Sequence, residues 1–151
     1  MKLLLQRVNS ASVEVDNKIV GQINKGLLVF LGVGKNDSEA EADYLVEKVI
    51  NLRIFSDGDK HFEKSLLEVG GEVLVVSQFT LYANCGKGRR PDFFDSAEPS
   101  KAEALYNKFI NKLKSKNIKT EAGKFGAYMQ VKLENDGPST FWLEKEVPSA
   151  K

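Results

Sequence analysis

Two uninterrupted apolar runs, Leu27-Leu28-Val29-Phe30-Leu31 and Val73-Leu74-Val75-Val76, constrain the fold of this chain most tightly. A strand with one wet face alternates apolar and polar residues. A run without alternation fits a strand covered on both faces. The cover for one side is visible as two amphipathic helices. The first spans about Asp37 or Ser38 to Asn51. Ser38 and Glu41 have the spacing of a capping box, and Ala42, Leu45, Val46 and Val49 recur at helical period. The second is expected to start at about Ser100, with Ser100 and Glu103 as a further capping box. Its stripe is Ala102, Leu105, Tyr106, Phe109, Ile110 and Leu113, with lysines mostly opposite.

The rest of the chain reads mostly as strands. Ala127, Met129, Val131 and Leu133 alternate with Tyr128, Gln130 and Lys132, the pattern of a half-buried strand. Asp16-Asn17 is expected to turn one hairpin and Asn24-Lys25-Gly26 a second. Asn135-Asp136-Gly137-Pro138 is expected to separate the Tyr128–Leu133 strand from a last strand near Thr140–Leu143. The fold class is therefore α/β. Its sheets are mixed and largely antiparallel, with the two main helices on one side. The 151 residues suit one domain with a sizeable core, spanning 1–151. A tail after about residue 144 is expected to be flexible.

Composition excludes more than it assigns. Apolar residues make up 42% and charged residues 28%, and the formal charge is +1, so nucleic acid could be met only by a local basic patch. Cys85 is the single cysteine, which rules out an internal disulfide and the usual zinc frameworks and fits a reducing cytosol. Met1-Lys2-Leu3-Leu4-Leu5 is too short for a signal-peptide core, and no stretch approaches a membrane span. A soluble, cytoplasmic protein is expected. His61 is the only histidine and lies in a polar stretch, Asp57 to His61, where a surface role is expected rather than a catalytic triad. No HExxH motif or Cys/His cluster is present, so no metal site and no cofactor is expected. Gly32-Val33-Gly34-Lys35 lacks the full phosphate-loop pattern.

Ser77-Gln78-Phe79-Thr80-Leu81 differs in kind, because it puts polar side chains directly after a buried strand. Burying such groups is costly unless they are hydrogen-bonded. Either the strand turns polar at the sheet edge, or its hydroxyls, amide and backbone N–H groups converge on a ligand. Lys87-Gly88-Arg89-Arg90-Pro91 follows. It is either a solvated loop or a phosphate-binding one, since arginine offers paired donors. Phe93-Phe94 beside it reads as core packing or as a hydrophobic clamp.

Ser77-Gln78-Phe79-Thr80-Leu81 and Asn135-Asp136-Gly137-Pro138-Ser139-Thr140 together resemble the two signature motifs of the D-aminoacyl-tRNA deacylase family. Gln6-Arg7-Val8, Lys25 to Val29, Asn51 to Phe55, Lys87 to Pro91 and Gly123 to Ala127 are similar as well, in the expected order up to about Leu143. The resemblance implies a barrel-like, three-layer α/β/β fold and a homodimeric hydrolase of the ester between a D-amino acid, or glycine, and the 3′-terminal adenosine of tRNA. It implies that Ser77, Gln78, Phe79 and Thr80 form a positioning and oxyanion wall, with backbone N–H groups near Phe79 and Thr80 facing the carbonyl. Phe125 and Met129 would sit beside the adenosine, and Lys87, Arg89 and Arg90 against the tRNA. No base neighbours Thr80, and the family's reaction is assisted by the ribose 2′-hydroxyl, so Thr80 is expected to position rather than attack. Gly137-Pro138 is implied to be a cis peptide that enters the opposite subunit's site and leaves no room for an L side chain. Ser139 stands where the family usually has valine. The alternative is a non-catalytic nucleic-acid-binding protein on the same fold.

Overall fold

The computed structural model describes residues 1–148. A long first strand, β1 (Lys2–Val15), is the spine of the sheet. It turns back through Asp16 and Asn17, both with φ near +60° (51° and 61°), into β2 (Lys18–Ile23), as the turn residues predicted. β3 (Gly26–Gly32) pairs antiparallel with the first half of β1. The second expected hairpin, at Asn24-Lys25-Gly26, does not form. Ala11 pairs with Ile23 and Val8 with Gly26, so β2 and β3 run in line along the same edge of β1. Asn24-Lys25 is a break in that line. It is held where β6 (Glu72–Ser77) begins, by Asn24 N–H donating to Glu72 Oε2 at 2.8 Å and Glu72 N–H donating to the Lys25 carbonyl at 3.1 Å.

β6 lies parallel to β3, and β7 (Thr120–Ala122) lies parallel to β6. The last strand, β8 (Gln130–Glu144), pairs antiparallel with β1 along most of its length, which completes a six-stranded mixed sheet. The sheet nearly closes on itself. A β-carbon on Gly21 of β2 would stand 2.5 Å from the Ala122 carbonyl oxygen of β7, an approach only glycine allows. A short hairpin, β4 (Phe55–Asp57) with β5 (Lys60–Lys64), stands apart and carries the exposed His61.

The segment Asn135–Pro138 was expected to separate two strands. Both halves instead pair with β1, Asn135 opposite Val8 and Thr140 opposite Gln6, so residues 136–139 form an outward excursion from one continuous strand.

α1 (Glu39–Asn51) and α3 (Pro99–Ser115) cover one face of the sheet, with a short α2 (Leu66–Val69) beside them. Ser38 caps α1 as its spacing predicted: its backbone N–H donates to Glu41 Oε2 at 2.8 Å and its Oγ accepts from Ala40 N–H at 3.3 Å. The expected Ser100–Glu103 box is absent. α3 begins one residue earlier, with Pro99 in its first turn, and Glu98 caps it without a side-chain bond. Proline fits there because its missing N–H would have had no helical acceptor.

The apolar runs are covered twice, as their lack of alternation predicted. Leu27, Val29, Leu31, Val73 and Val75 face the helices with Leu45, Val49, Leu105 and Phe109. Leu28, Leu74 and Val76 face a second cluster inside the curled sheet with Val8, Val13, Ile23 and, at its edge, Met129 and Val131. Of the tail, Lys145 is tied back to Met1, whose carbonyl accepts its N–H at 3.0 Å. The part beyond 148 lies outside the described residues.

Candidate active site

Ser77 ends β6, and the chain then leaves the sheet in a 3-10 turn over Phe79–Tyr82. Gln78 N–H still donates to the Leu31 carbonyl at 2.8 Å, which holds the turn to β3. Inside the turn Leu81 N–H donates to the Gln78 carbonyl at 3.2 Å. The N–H groups of Phe79 and Thr80 precede any acceptor within the turn. Among the described residues neither has a partner. Gln78 Nε2 donates to Thr80 Oγ1, so the amide orients the hydroxyl.

A cavity of about 500 Å³ opens at this strand end. Ser77, Gln78 and Phe79 line it, and so do Phe125 and Met129 from the segment that leads into β8. The resemblance had brought these five residues together. Met129 has both roles that its position allowed: it lines the cavity and packs against the second core cluster. Thr80 adjoins the cavity through Gln78 and does not line it. None of the described lining residues is His, Lys, Arg, Asp, Glu or Cys.

Other wall residues escaped sequence reasoning. Ser96 and Ala97 come from the segment that leads into α3, Pro99 and Ala102 from its first turn, and Tyr128 is 87% exposed. Small residues at a helix start carry no local signal of a ligand. Below the cavity Tyr106 of α3 donates its hydroxyl to the Val75 carbonyl at 3.1 Å and packs on Phe125, with ring centroids 5.8 Å apart. Burial pushes its pKa up to about 12. Phe93 is neither core nor free, because it packs on Phe79 with centroids 4.8 Å apart. Phe94 stays exposed, under the Lys35 ammonium at 3.8 Å from its ring centroid.

Lys87, Arg89 and Arg90 sit fully outside the cavity, in an exposed loop whose base is the Asn84–Asp92 bridge. None of the three forms an ion pair among the described residues. Gly137 and Pro138 are also outside it, exposed on the excursion of β8, and their peptide is cis. The residues that hold them were missed as functional. Arg7, 8% exposed, donates from Nε to the Asp136 carbonyl at 3.2 Å and from Nη1 to the Ile54 carbonyl at 2.7 Å. Arg7 falls in phase with the buried Leu3 and Leu5 of β1, and a cation at such an inward-facing position was the available signal, since buried charge demands partners.

A second cavity of about 440 Å³, beside Lys2, Lys35, Asp37 and Tyr82, contains none of the expected site residues. Its Tyr82 hydroxyl donates to Asp37 at 3.3 Å, and burial together with that carboxylate drives its pKa well above the ordinary range. Among the described residues no group of three or more His, Cys, Asp or Glu is placed to hold a metal ion.

The fold is thus an α/β domain in which a curled mixed sheet opens, at one strand end, into a cavity with Ser77 and Gln78 among mostly apolar walls. The model of the D-Tyr-tRNA(Tyr) deacylase family matches residues 4–144. The chain is 56% identical over 147 residues to the D-aminoacyl-tRNA deacylase of Thermosipho melanesiensis, covering 97% of this chain and 98% of that one. It is 53% identical over 144 residues to the D-aminoacyl-tRNA deacylase of Aquifex aeolicus, covering 95% and 97%. Among solved structures, one described as the c-Myc DNA unwinding element binding protein superposes with a TM-score of 0.92 at 41% identity, over 97% of this chain and 100% of that one. Another, described as a probable eukaryotic D-amino acid tRNA deacylase, shares the fold with a TM-score of 0.79 at 18% identity, over 94% and 97%. The chain belongs to the D-Tyr-tRNA(Tyr) deacylase family.

Proposed function

We propose that this chain hydrolyses the ester that joins a D-amino acid to the 3′-terminal adenosine of tRNA, and that the cavity at Ser77–Thr80 is where it does so. Family membership supports the reaction. The observation that carries the placement is a pocket with the unpartnered Phe79 N–H in its strand-end wall, the unpartnered Thr80 N–H beside it, and no acid–base side chain in its described walls. An aminoacyl ester is already prone to hydrolysis, so positioning and charge stabilisation suffice.

Water attacks the ester carbonyl, the bond to the ribose oxygen breaks, and the products are the free amino acid and tRNA with its terminal diol restored. The N–H groups of Phe79 and Thr80 stabilise the oxyanion, each worth about 3 kcal/mol in such a role. The ribose 2′-hydroxyl assists, while Gln78 and Thr80 hold the geometry. Phe125 and Met129 receive the adenosine, and Lys87, Arg89 and Arg90 meet the tRNA phosphates. Chirality is read by Gly137-Pro138 of a second subunit in a homodimer, whose backbone excludes an L side chain, so glycyl-tRNA is also cleaved. The setting is the cytoplasm, where translation supplies the substrate. Among the described residues no helix is long and apolar enough to cross a membrane.

Deacylation of D-Tyr-tRNA and L-Tyr-tRNA tests this directly. Cleavage of the D form alone is expected. Cleavage of neither would remove the activity, and equal cleavage of both would remove the chirality mechanism. A second reading, nucleic-acid binding without turnover, draws on the exposed basic loop and on the name of the 41% identical structure. It requires tRNA affinity that survives Gln78→Ala with no turnover to lose.

A further inference from the structure

Residues 136–139 leave the β1 ladder between Asn135, opposite Val8, and Thr140, opposite Gln6. An excursion of this length splays unless its base is closed. The Asn135 side chain closes it. Its Oδ1 accepts the Ser139 N–H at 2.7 Å, and its Nδ2 donates to Thr140 Oγ1 at 2.8 Å. Thr140 Oγ1 also accepts from Gln6 Nε2 on β1 at 3.3 Å. Both ends of one amide are thus used to strap the excursion shut and fasten it to the spine of the sheet.

The strap reaches Gly137 through Ser139. Gly137 has φ of +134°, and a β-carbon there would stand 2.5 Å from Ser139 Oγ. Ser139 is 7% exposed, whereas Gly137 and Pro138 are exposed. The aim of the exposed pair is therefore set by the buried residue behind it, and Asn135 fixes the backbone of that residue.

We infer that Asn135, anchored by Thr140, is a specificity-determining positioning residue for the deacylation reaction. It holds the Gly137-Pro138 edge rigid enough to exclude an L side chain. The inference rests on the reading of that edge as the chirality filter. A steric filter works only if it does not yield, and a looseness of about 1 Å is enough to spoil a positioned site.

The test compares kcat/KM on D-Tyr-tRNA and L-Tyr-tRNA for the whole protein and four variants. Thr140→Val keeps the shape and removes the oxygen, while Thr140→Ser keeps the oxygen. In Asn135→Ala and Thr140→Val, cleavage of L relative to D is expected to rise by about tenfold, the scale of one lost hydrogen bond. Thr140→Ser is expected to keep the wild-type ratio. Simple loss of folded protein lowers both rates by one factor and leaves the ratio alone. An unchanged ratio in Thr140→Val, or equal changes in Thr140→Val and Thr140→Ser, would overturn the inference. The fourth variant, Gly137→Ala, separates the two levels. If it shifts the ratio and Thr140→Val does not, only the strap is wrong. If the ratio ignores Gly137 as well, the chirality filter itself is wrong and the strap falls with it.

Discussion

Tyr106 joins the core to the floor of the cavity. Its hydroxyl is bonded to the Val75 carbonyl, and its ring supports Phe125. Burial disfavours the phenolate and pushes the pKa up to about 12, against about 10 for a free tyrosine. The folded state therefore holds this proton more tightly than the unfolded state. The corresponding stability is complete below pH of about 10 and is lost as pH rises towards about 12. Tyr106→Phe is expected to cost about 1 kcal/mol at neutral pH, because the Val75 carbonyl loses its donor. Its urea midpoint should then fall less steeply than the wild type's across the alkaline window. Parallel profiles for the two proteins would remove Tyr106 as the source. Arg7 illustrates the opposite chemistry at the same scale. Its buried guanidinium is satisfied by carbonyls of two separate segments and by Asp136 Oδ2 at 3.1 Å, which accept its donors.

The two long helices reach similar positions by different starts. α1 uses a side-chain cap, and α3 uses a proline in its first turn. Ser38→Ala is accordingly expected to lower stability by about 1 kcal/mol. Ser100→Ala, at the position that sequence spacing suggested as a cap, should leave thermal stability within a few tenths of a kcal/mol, as surface changes do. Equal losses in the two variants would restore the predicted cap at Ser100. Between the helices Lys108–Glu39, Lys112–Asp43 and Lys116–Glu47 form a ladder of ion pairs. Partly exposed pairs of this kind contribute little individually. The apolar stripes beneath them, Leu45 and Val49 against Phe109 and Leu113, are what fix the helices to the sheet.

Across the whole molecule, the cavity gathers segments far apart in sequence: the end of β6, the start of α3 and the approach to β8. Gly137-Pro138 belongs to the same proposed reaction yet lies outside the cavity of its own chain. Mixing two variants tests the cross-subunit reading. A Gln78→Ala chain loses its pocket wall but keeps its excursion, and a Gly137→Ala chain keeps its pocket but is expected to cleave L-Tyr-tRNA. If the excursion serves the partner, equal mixing and reassembly halve the L-Tyr-tRNA cleavage per Gly137→Ala chain, because half of those pockets then face an intact excursion. If it serves its own chain, L-Tyr-tRNA cleavage per Gly137→Ala chain stays unchanged.

Elements whose signal is local were legible before any coordinates. Periodicity placed both helices, the lack of alternation marked β3 and β6 as covered on both faces, and Ser77–Thr80 stood out as polarity where burial was due. These features follow from each residue's own preference for water or for a backbone conformation. Other features were decided by partners distant in the chain. Asn24-Lys25 has turn chemistry, but the continued register of β1 makes it a break in line. Asn135–Pro138 reads as a turn between strands, yet β1 pairs on both sides of it and makes it an excursion. The helix-start wall of the cavity and the Asn135 support were invisible for the same reason. Composition and spacing report what a residue prefers, whereas strand register and side-chain hydrogen bonds depend on which segment arrives opposite, and only the folded chain settles that.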